Sequence, residues 1–152
     1  MESLQDRYAP QNICFGCGPA NAKGLRIKSY VEGDELVATF QPSPEHQAFE
    51  GVLNGGIIGA LLDCHSNWTT AYFLMRSRGA DKLPCTVTAD FHVSLKRPTP
   101  YPGAVHLRAK VASLEGDHAV VEAQMTAGGK VTATCRGTFV AVEEGHPAFH
   151  RW

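Results

Sequence analysis

Residues 51–75 read GVLNGGIIGALLDCHSNWTTAYFLM, from Gly51 to Met75. An Asn-Gly-Gly turn opens an almost unbroken apolar segment, too long for an ordinary strand. Ile57, Ile58, Ala60, Leu61, Leu62, Cys64, Trp68, Ala71, Tyr72 and Leu74 fall on every side of a helical wheel. A helix that is apolar all round is a buried one, whereas a surface helix carries a single apolar stripe. Asp63 stands in the middle of it. A carboxylate there has to be paired, protonated or employed, because an unpartnered charge in an apolar interior is costly. Asn54 is a suitable N-cap, and Gly55 and Gly56 leave backbone amides open at the helix start. The helix is expected to run to about Ser77 and stop at Gly79, with Arg76 and Arg78 in its last turn, where cations suit the dipole.

Downstream of the helix only strand signals follow. Thr86 to Leu95 alternates polar and apolar residues throughout, which predicts one buried face and one polar face, and Lys96-Arg97-Pro98 ends it. Ala104 to Ser113 and His118 to Thr126 are joined around Gly116-Asp117, and a second hairpin through Gly128-Gly129 leads into Lys130 to Val142. Upstream, Leu25 to Tyr30 and Glu35 to Gln41 form a hairpin around Glu32-Gly33-Asp34, and Pro44 to Leu53 is a loop into the helix. About six strands and one long buried helix make an α+β domain, a helix enclosed by a curved antiparallel sheet, over residues 25–143. Residues 1–24 form a Gly- and Pro-punctuated leader loop, and 144–152 a tail without usable periodicity.

The 152 residues are 43% apolar and carry a net charge of −1, enough chain for one sizeable core. Nothing resembles the dense basic block that nucleic acid would demand, so it is not an expected partner. The opening MESLQDRYAPQN has no apolar run of the kind a signal peptide needs. Asp63, His65, Asn54 and Asn67 argue against a membrane span in the apolar segment. Five cysteines, an odd number without a regular framework, suit a reducing cytoplasm. Cys14-Phe15-Gly16-Cys17 is a lone C-x-x-C. With Cys64, Cys85 and Cys135 scattered singly, it favours packing or a tight turn over metal or redox chemistry.

The order G-x-x-N-G-G-x₆-D followed by a strand ending in K-R-P resembles the hotdog-fold acyl-CoA thioesterases, within them the branch of the phenylacetate-pathway and THEM-type enzymes. Gly51, Asn54-Gly55-Gly56, Asp63, Val87-Thr88-Ala89-Asp90 and Lys96-Arg97-Pro98 carry the resemblance. The leader from Cys14-Phe15-Gly16-Cys17-Gly18 to Gly24-Leu25 is similar to one found ahead of the domain in such proteins. The resemblance implies a hotdog fold, a homodimer with shared active sites that often pairs into a tetramer, and hydrolysis of an acyl-CoA or related thioester. It implies that Gly55 offers its N–H to the thioester carbonyl and that Asp63 is general base or nucleophile. It places Thr88 where a hydroxyl helps orient water or carboxylate, and Lys96 and Arg97 near the coenzyme A phosphates, with Gly56 beside them at the helix start. No cofactor or metal is expected. The commoner family motif has His where this chain has Asn54, which caps and hydrogen-bonds but carries no proton at neutral pH. Upstream, only His46 and Gln47 stand near a polar position that some members use.

Elementary physics bears on part of this. A helix N-terminus with free amides stabilises an oxyanion on a carbonyl. Asp63 lies eight positions beyond Gly55, roughly 12 Å along a helix axis, while a general base works within about 3 Å or across one water. One helix does not serve one thioester with both groups, so two chains are expected to share each site. The alternatives are a non-hydrolytic hotdog module that binds acyl thioesters or serves assembly, which Asn54 favours, and dehydratase chemistry, for which His65 is poorly placed. A nucleophile set from His65, Ser66 and Asn67 is set aside because adjacent helical residues point to different faces. Thr88 is also an ordinary strand residue, and Lys96 and Arg97 an ordinary solvated strand end.

Overall fold

The computed structural model describes residues 1–149. The last three residues of the expected 144–152 tail lie outside them. A short helix, α1 (Leu4–Tyr8), precedes strands β1 (Ser29–Glu32) and β2 (Glu35–Phe40). A 3₁₀ turn (Pro44–His46) and two very short strands, β3 (Gln47–Phe49) and β4 (Val52–Leu53), lead into the long helix α2 (Gly55–Ser77). Four long strands follow: β5 (Thr86–Leu95), β6 (Val105–Glu115), β7 (His118–Ala127) and β8 (Lys130–Ala141). They form one antiparallel sheet of six strands, ordered β1-β2-β6-β7-β8-β5, and α2 packs across it. The architecture is the α+β one expected.

The sheet's inner face supplies Leu36, Ala38, Leu107, Ala109, Val121, Met125, Ala133 and Phe139, which meet Ile58, Leu61, Leu62 and Trp68 of the helix. Trp68, Phe139, Leu61 and Leu62 are fully buried, and each such side chain contributes about 1.5–3 kcal/mol of transfer free energy. Asn54 caps α2, its side-chain oxygen accepting the Ile57 N–H at 3.1 Å. A β-carbon at Gly56 would sit 2.9 Å from that capping oxygen, so a larger residue here would push the Asn54 side chain off its cap. The approach to the cap is pinned from outside: Leu53 N–H donates to Thr99 O, Tyr101 N–H to Gly51 O and Asn54 N–H to His46 O. His46 and Gln47 hold this loop together. His46 Nδ1 accepts the Ser43 N–H and Gln47 Oε1 the Gly51 N–H.

The helix is not enclosed on all sides. Gly55, Gly59, Asp63 and Asn67, four residues apart in turn, form a partly open flank that runs beside β5. The strand descends this flank as the helix ascends. A β-carbon at Gly55 would lie 3.4 Å from Leu95 and one at Gly59 3.8 Å from Phe91. Thr88 reaches Asp63, and Asn67 Nδ2 donates to Thr86 O. Strand β5 also departs from the unbroken alternation read in its sequence. Its pairing to β8 shifts between Thr88 and Asp90, so Ala89 is an extra residue. That β-bulge turns Thr88 to the same helix-facing side as Phe91 and Leu95, which strict period-2 geometry would have placed opposite it.

The leader is more structured than a loop. Ser3 caps α1 by accepting the Asp6 N–H, and Leu4, Ala9, Cys17, Leu25 and Ile27 enter the main core. Leu25 and Ile27 are held by Phe15 O and Gly16 O rather than by β2, so the first sheet strand begins at Ser29. Gln5 and Ser29 exchange two hydrogen bonds, Nε2 to Oγ at 3.0 Å and Ser29 N–H to Oε1 at 2.8 Å. No helix among the described residues is long and apolar enough to cross a membrane.

Candidate active site

Asp63 emerges from the middle of α2 on the open flank, half-buried, where the Thr88 hydroxyl donates to its Oδ1 at 2.6 Å. Burial pushes its carboxyl up from the usual range, and the Thr88 hydrogen bond pulls partly against that. Among the described residues no Lys, Arg or His forms an ion pair with it. The carboxylate faces a cavity of about 380 Å³ lined by Asn12, Cys14, Cys64, Asn67, Thr86 and Thr88, among others. Two polar atoms of that lining, Asn67 Oδ1 and Thr86 Oγ1, are buried without a hydrogen-bonding partner. A desolvated carboxyl that opens to a cavity is the kind of group that marks a candidate functional site.

Gly55 is the first residue of α2, and among the described residues no backbone hydrogen bond uses its N–H. Leu95 lies beside it, so Lys96 and Arg97, the next residues of the chain, stand at the same end of the helix. Both are exposed, and both backbone N–H groups donate to Thr132 O. The structure therefore gathers the expected residues into two groups. Asp63 and Thr88 form one; Asn54, Gly55, Gly56, Lys96 and Arg97 form the other. Eight helical positions separate them, roughly 12 Å.

His65, two residues from Asp63, faces the other way and is fully buried. Its Nε2–H donates to Leu36 O at 2.9 Å, and its Nδ1 accepts from the Ser29 hydroxyl at 2.8 Å. Desolvation pushes its pKa down to about 4, so the ring is neutral, and both nitrogens are satisfied. It is a structural histidine.

One expectation needs correction. Cys64 is not isolated: α2 delivers it to the leader, where its sulfur lies 3.7 Å from that of Cys14, with Cys17 alongside. The three Sγ atoms all lie within 4.8 Å of one another. Cys17 and Cys64 thiols, and the backbone N–H groups of Cys17 and Gly16, are directed at Cys14 Sγ and hold it far below the ordinary thiol range. Donating to Cys14 pushes Cys17 up to about 12, and Cys64 well above the ordinary range. No spacing rule finds this cluster, since 47 residues separate Cys17 from Cys64. The available signal was the free thiol next to Asp63.

The chain is similar to several solved structures. A thioesterase superfamily protein from Shewanella loihica is 26% identical, aligns over 82% of this chain and 98% of its own, and superposes with a TM-score of 0.67. A Haemophilus influenzae thioesterase is 23% identical over 80% of this chain and 84% of its own, at 0.69. The Escherichia coli PaaI protein, from the phenylacetic acid degradation operon, is 17% identical over 82% and 85%, at 0.68. The latter two speak to fold alone. No protein-family model and no curated protein sequence matches the chain. The fold is that of the hotdog thioesterases, and the solved structures it resembles include the phenylacetate-degradation branch.

Proposed function

We propose that this protein hydrolyses an acyl thioester, of the acyl-CoA class, to a free acid and a thiol. The observation that carries the reading is Asp63: half-buried, without a cationic partner among the described residues, hydrogen-bonded by Thr88 and open to a cavity. Asp63 accepts a proton from water as that water attacks the thioester carbonyl and passes it to the departing thiolate, or attacks the carbonyl itself to form an anhydride that water then hydrolyses to the free acid. Thr88 fixes which carboxylate oxygen faces the substrate. The carbonyl oxygen becomes an oxyanion as the bond to water forms, and the Gly55 N–H at the positive end of α2 stabilises it. The thiolate leaves with the electrons of the C–S bond. Lys96 and Arg97 stand at the helix start to meet a phosphorylated carrier.

The separation along α2 requires that Gly55 and Asp63 of one site come from two copies of the chain. Strand β5 supports such pairing. It is the sheet's edge, ten residues long, and carries exposed Phe91 and Leu95. Long apolar edges are seldom left open in solution. Two copies joined along β5 bring α2 of each to the other's flank. The C₂ axis then creates two equivalent sites.

Asn54, in place of the commoner His, favours the second reading, a module that binds acyl thioesters without cleaving them. Its Oδ1 is occupied by the cap, leaving only its amide N–H groups for a substrate. Purified protein and a panel of acyl-CoAs, with thiol release followed, separates the two. Turnover that is lost in Asp63→Asn supports hydrolysis; tight acyl-CoA binding without thiol release supports the module.

A further inference from the structure

The thiol triad plays no part in the hydrolysis proposed above. We propose that Cys14, Cys17 and Cys64 bind one thiophilic divalent cation of the zinc class, with the fourth coordination position open to the cavity that Asp63 lines. Thiolates held at about 2.3 Å by one tetrahedral zinc lie about 3.8 Å from each other. The Cys14 and Cys64 sulfurs are already 3.7 Å apart, and Cys17 completes a triangle with no side beyond 4.8 Å. A disulfide, by contrast, needs about 2.05 Å between sulfurs and would use only two of the three.

The C-x-x-C turn is fixed before any ligand arrives. Asn12 Oδ1 accepts the Cys14 N–H at 2.7 Å, Gly18 N–H donates to Cys14 O at 2.8 Å, and Leu25 and Ile27 clamp Phe15 and Gly16. Gly16 presses on the third ligand so closely that a β-carbon would sit 2.4 Å from Cys64 Sγ. All three cysteines line the cavity of Asp63, Asn67 and Thr86. A cation-bound water is a strong donor, and the Asp63 carboxylate lines the same cavity as an acceptor to match.

The test uses the full chain under a non-chelating reductant and is independent of thioesterase activity. Zn²⁺ is titrated against a chromogenic chelator, and Co²⁺ is substituted to read the visible bands of tetrahedral thiolate coordination. One Zn²⁺ per chain is expected, with thiolate-type Co²⁺ bands. Cys14→Ser and Cys64→Ser should each weaken Zn²⁺ binding by more than about a hundredfold, since losing even an outer-shell partner costs 10- to 100-fold. Cys85→Ser should leave binding unchanged. Peptide mass mapping of the unmutated protein removes dependence on the variants' folding. Zn²⁺ should shield Cys14, Cys17 and Cys64 from alkylation and leave Cys135 as it was. Absence of saturable Zn²⁺ binding would overturn the proposal. So would binding indifferent to both serine variants, or a Cys14–Cys64 disulfide that forms in air as readily with saturating Zn²⁺ as without it.

Discussion

Asp63 and His65 stand two residues apart on one helix, and burial disfavours the charged form of each. Their surroundings differ in one respect. Every polar atom of His65 has a partner within a closed chain that runs Gln5–Ser29–His65–Leu36, tying α1, β1, β2 and α2 together. Among the described residues Asp63 has one hydrogen-bonding partner, Thr88, and beyond it lies a cavity. A displaced pKa alone therefore does not mark a working group. The working candidate is the one whose hydrogen-bonding capacity is left unfilled on the side a substrate can reach.

The contrast is broken most directly at Asp63. Asp63→Asn should lower kcat by about 10²- to 10⁴-fold, the usual worth of a positioned acid–base group. Thermal stability at neutral pH should hold or rise, because the charge that burial opposes is gone. A fall in stability with activity retained would give Asp63 the structural role instead. Next, Gly55→Pro deletes the amide proposed to meet the oxyanion and should cost about 10²- to 10³-fold in kcat. Asn54 already has the extended backbone that precedes proline, φ −66° and ψ 135°, and proline suits a first helical residue. Mixing and re-assembling Gly55→Pro with Asp63→Asn chains should restore about a quarter of wild-type activity, from mixed dimers holding one intact site. A mixture no more active than its components would refute the shared site.

His65 should answer in the other currency. His65→Ala should lower unfolding free energy by about 3 kcal/mol, through a cavity and unpaired Ser29 and Leu36 groups, with kcat per folded molecule kept. Its linkage to pH has a definite sign. The native ring takes a proton only near pH 4, the unfolded one near 6.5, so the unfolded state binds more protons between those values. Stability from His65 is whole above pH 6.5 and should fall by about 3 kcal/mol as pH drops towards 4. Asp63 has the opposite sign: its raised native pKa means acid relieves rather than burdens it. Denaturant unfolding across this range in the wild type and His65→Ala reads the difference, the variant giving the flatter curve. The smallest effect is at Thr88→Val, about tenfold in kcat for one hydrogen bond to a carboxylate.

The sequence was most readable where one residue conflicted with its surroundings. An aspartate inside an apolar helix declares itself, and so do the Asn54 cap and the long β6, β7 and β8 strands, whose periodicity is strong. What escaped was set by tertiary contact. Five residues of α1 show no helical period, and they hold their shape through Ser3 and the Gln5–Ser29 exchange. Leu25 and Ile27 alternate as a strand would, yet their hydrogen bonds go to the leader. β3 and β4, three and two residues long, are below what alternation can reveal. The thiol triad needed the leader to fold back on the helix. The bulge at Ala89 was hidden because its sequence alternates without interruption while its backbone does not.

That bulge divides β5 into two independent reading frames. Before Ala89, the helix-facing residue is Thr88, which serves the carboxylate. After it, Phe91, Val93 and Leu95 face the helix, with Phe91 and Leu95 exposed beside the glycines of α2. A substitution in the second frame can reshape what lies against the helix start without shifting the hydroxyl on Asp63. Deleting Ala89 would close the bulge and leave Thr88 and Phe91 two positions apart on one face, so the two segments would alternate in a single frame. The contact to Asp63 and the apolar face beside the helix start thus share one strand, with a single extra residue between them.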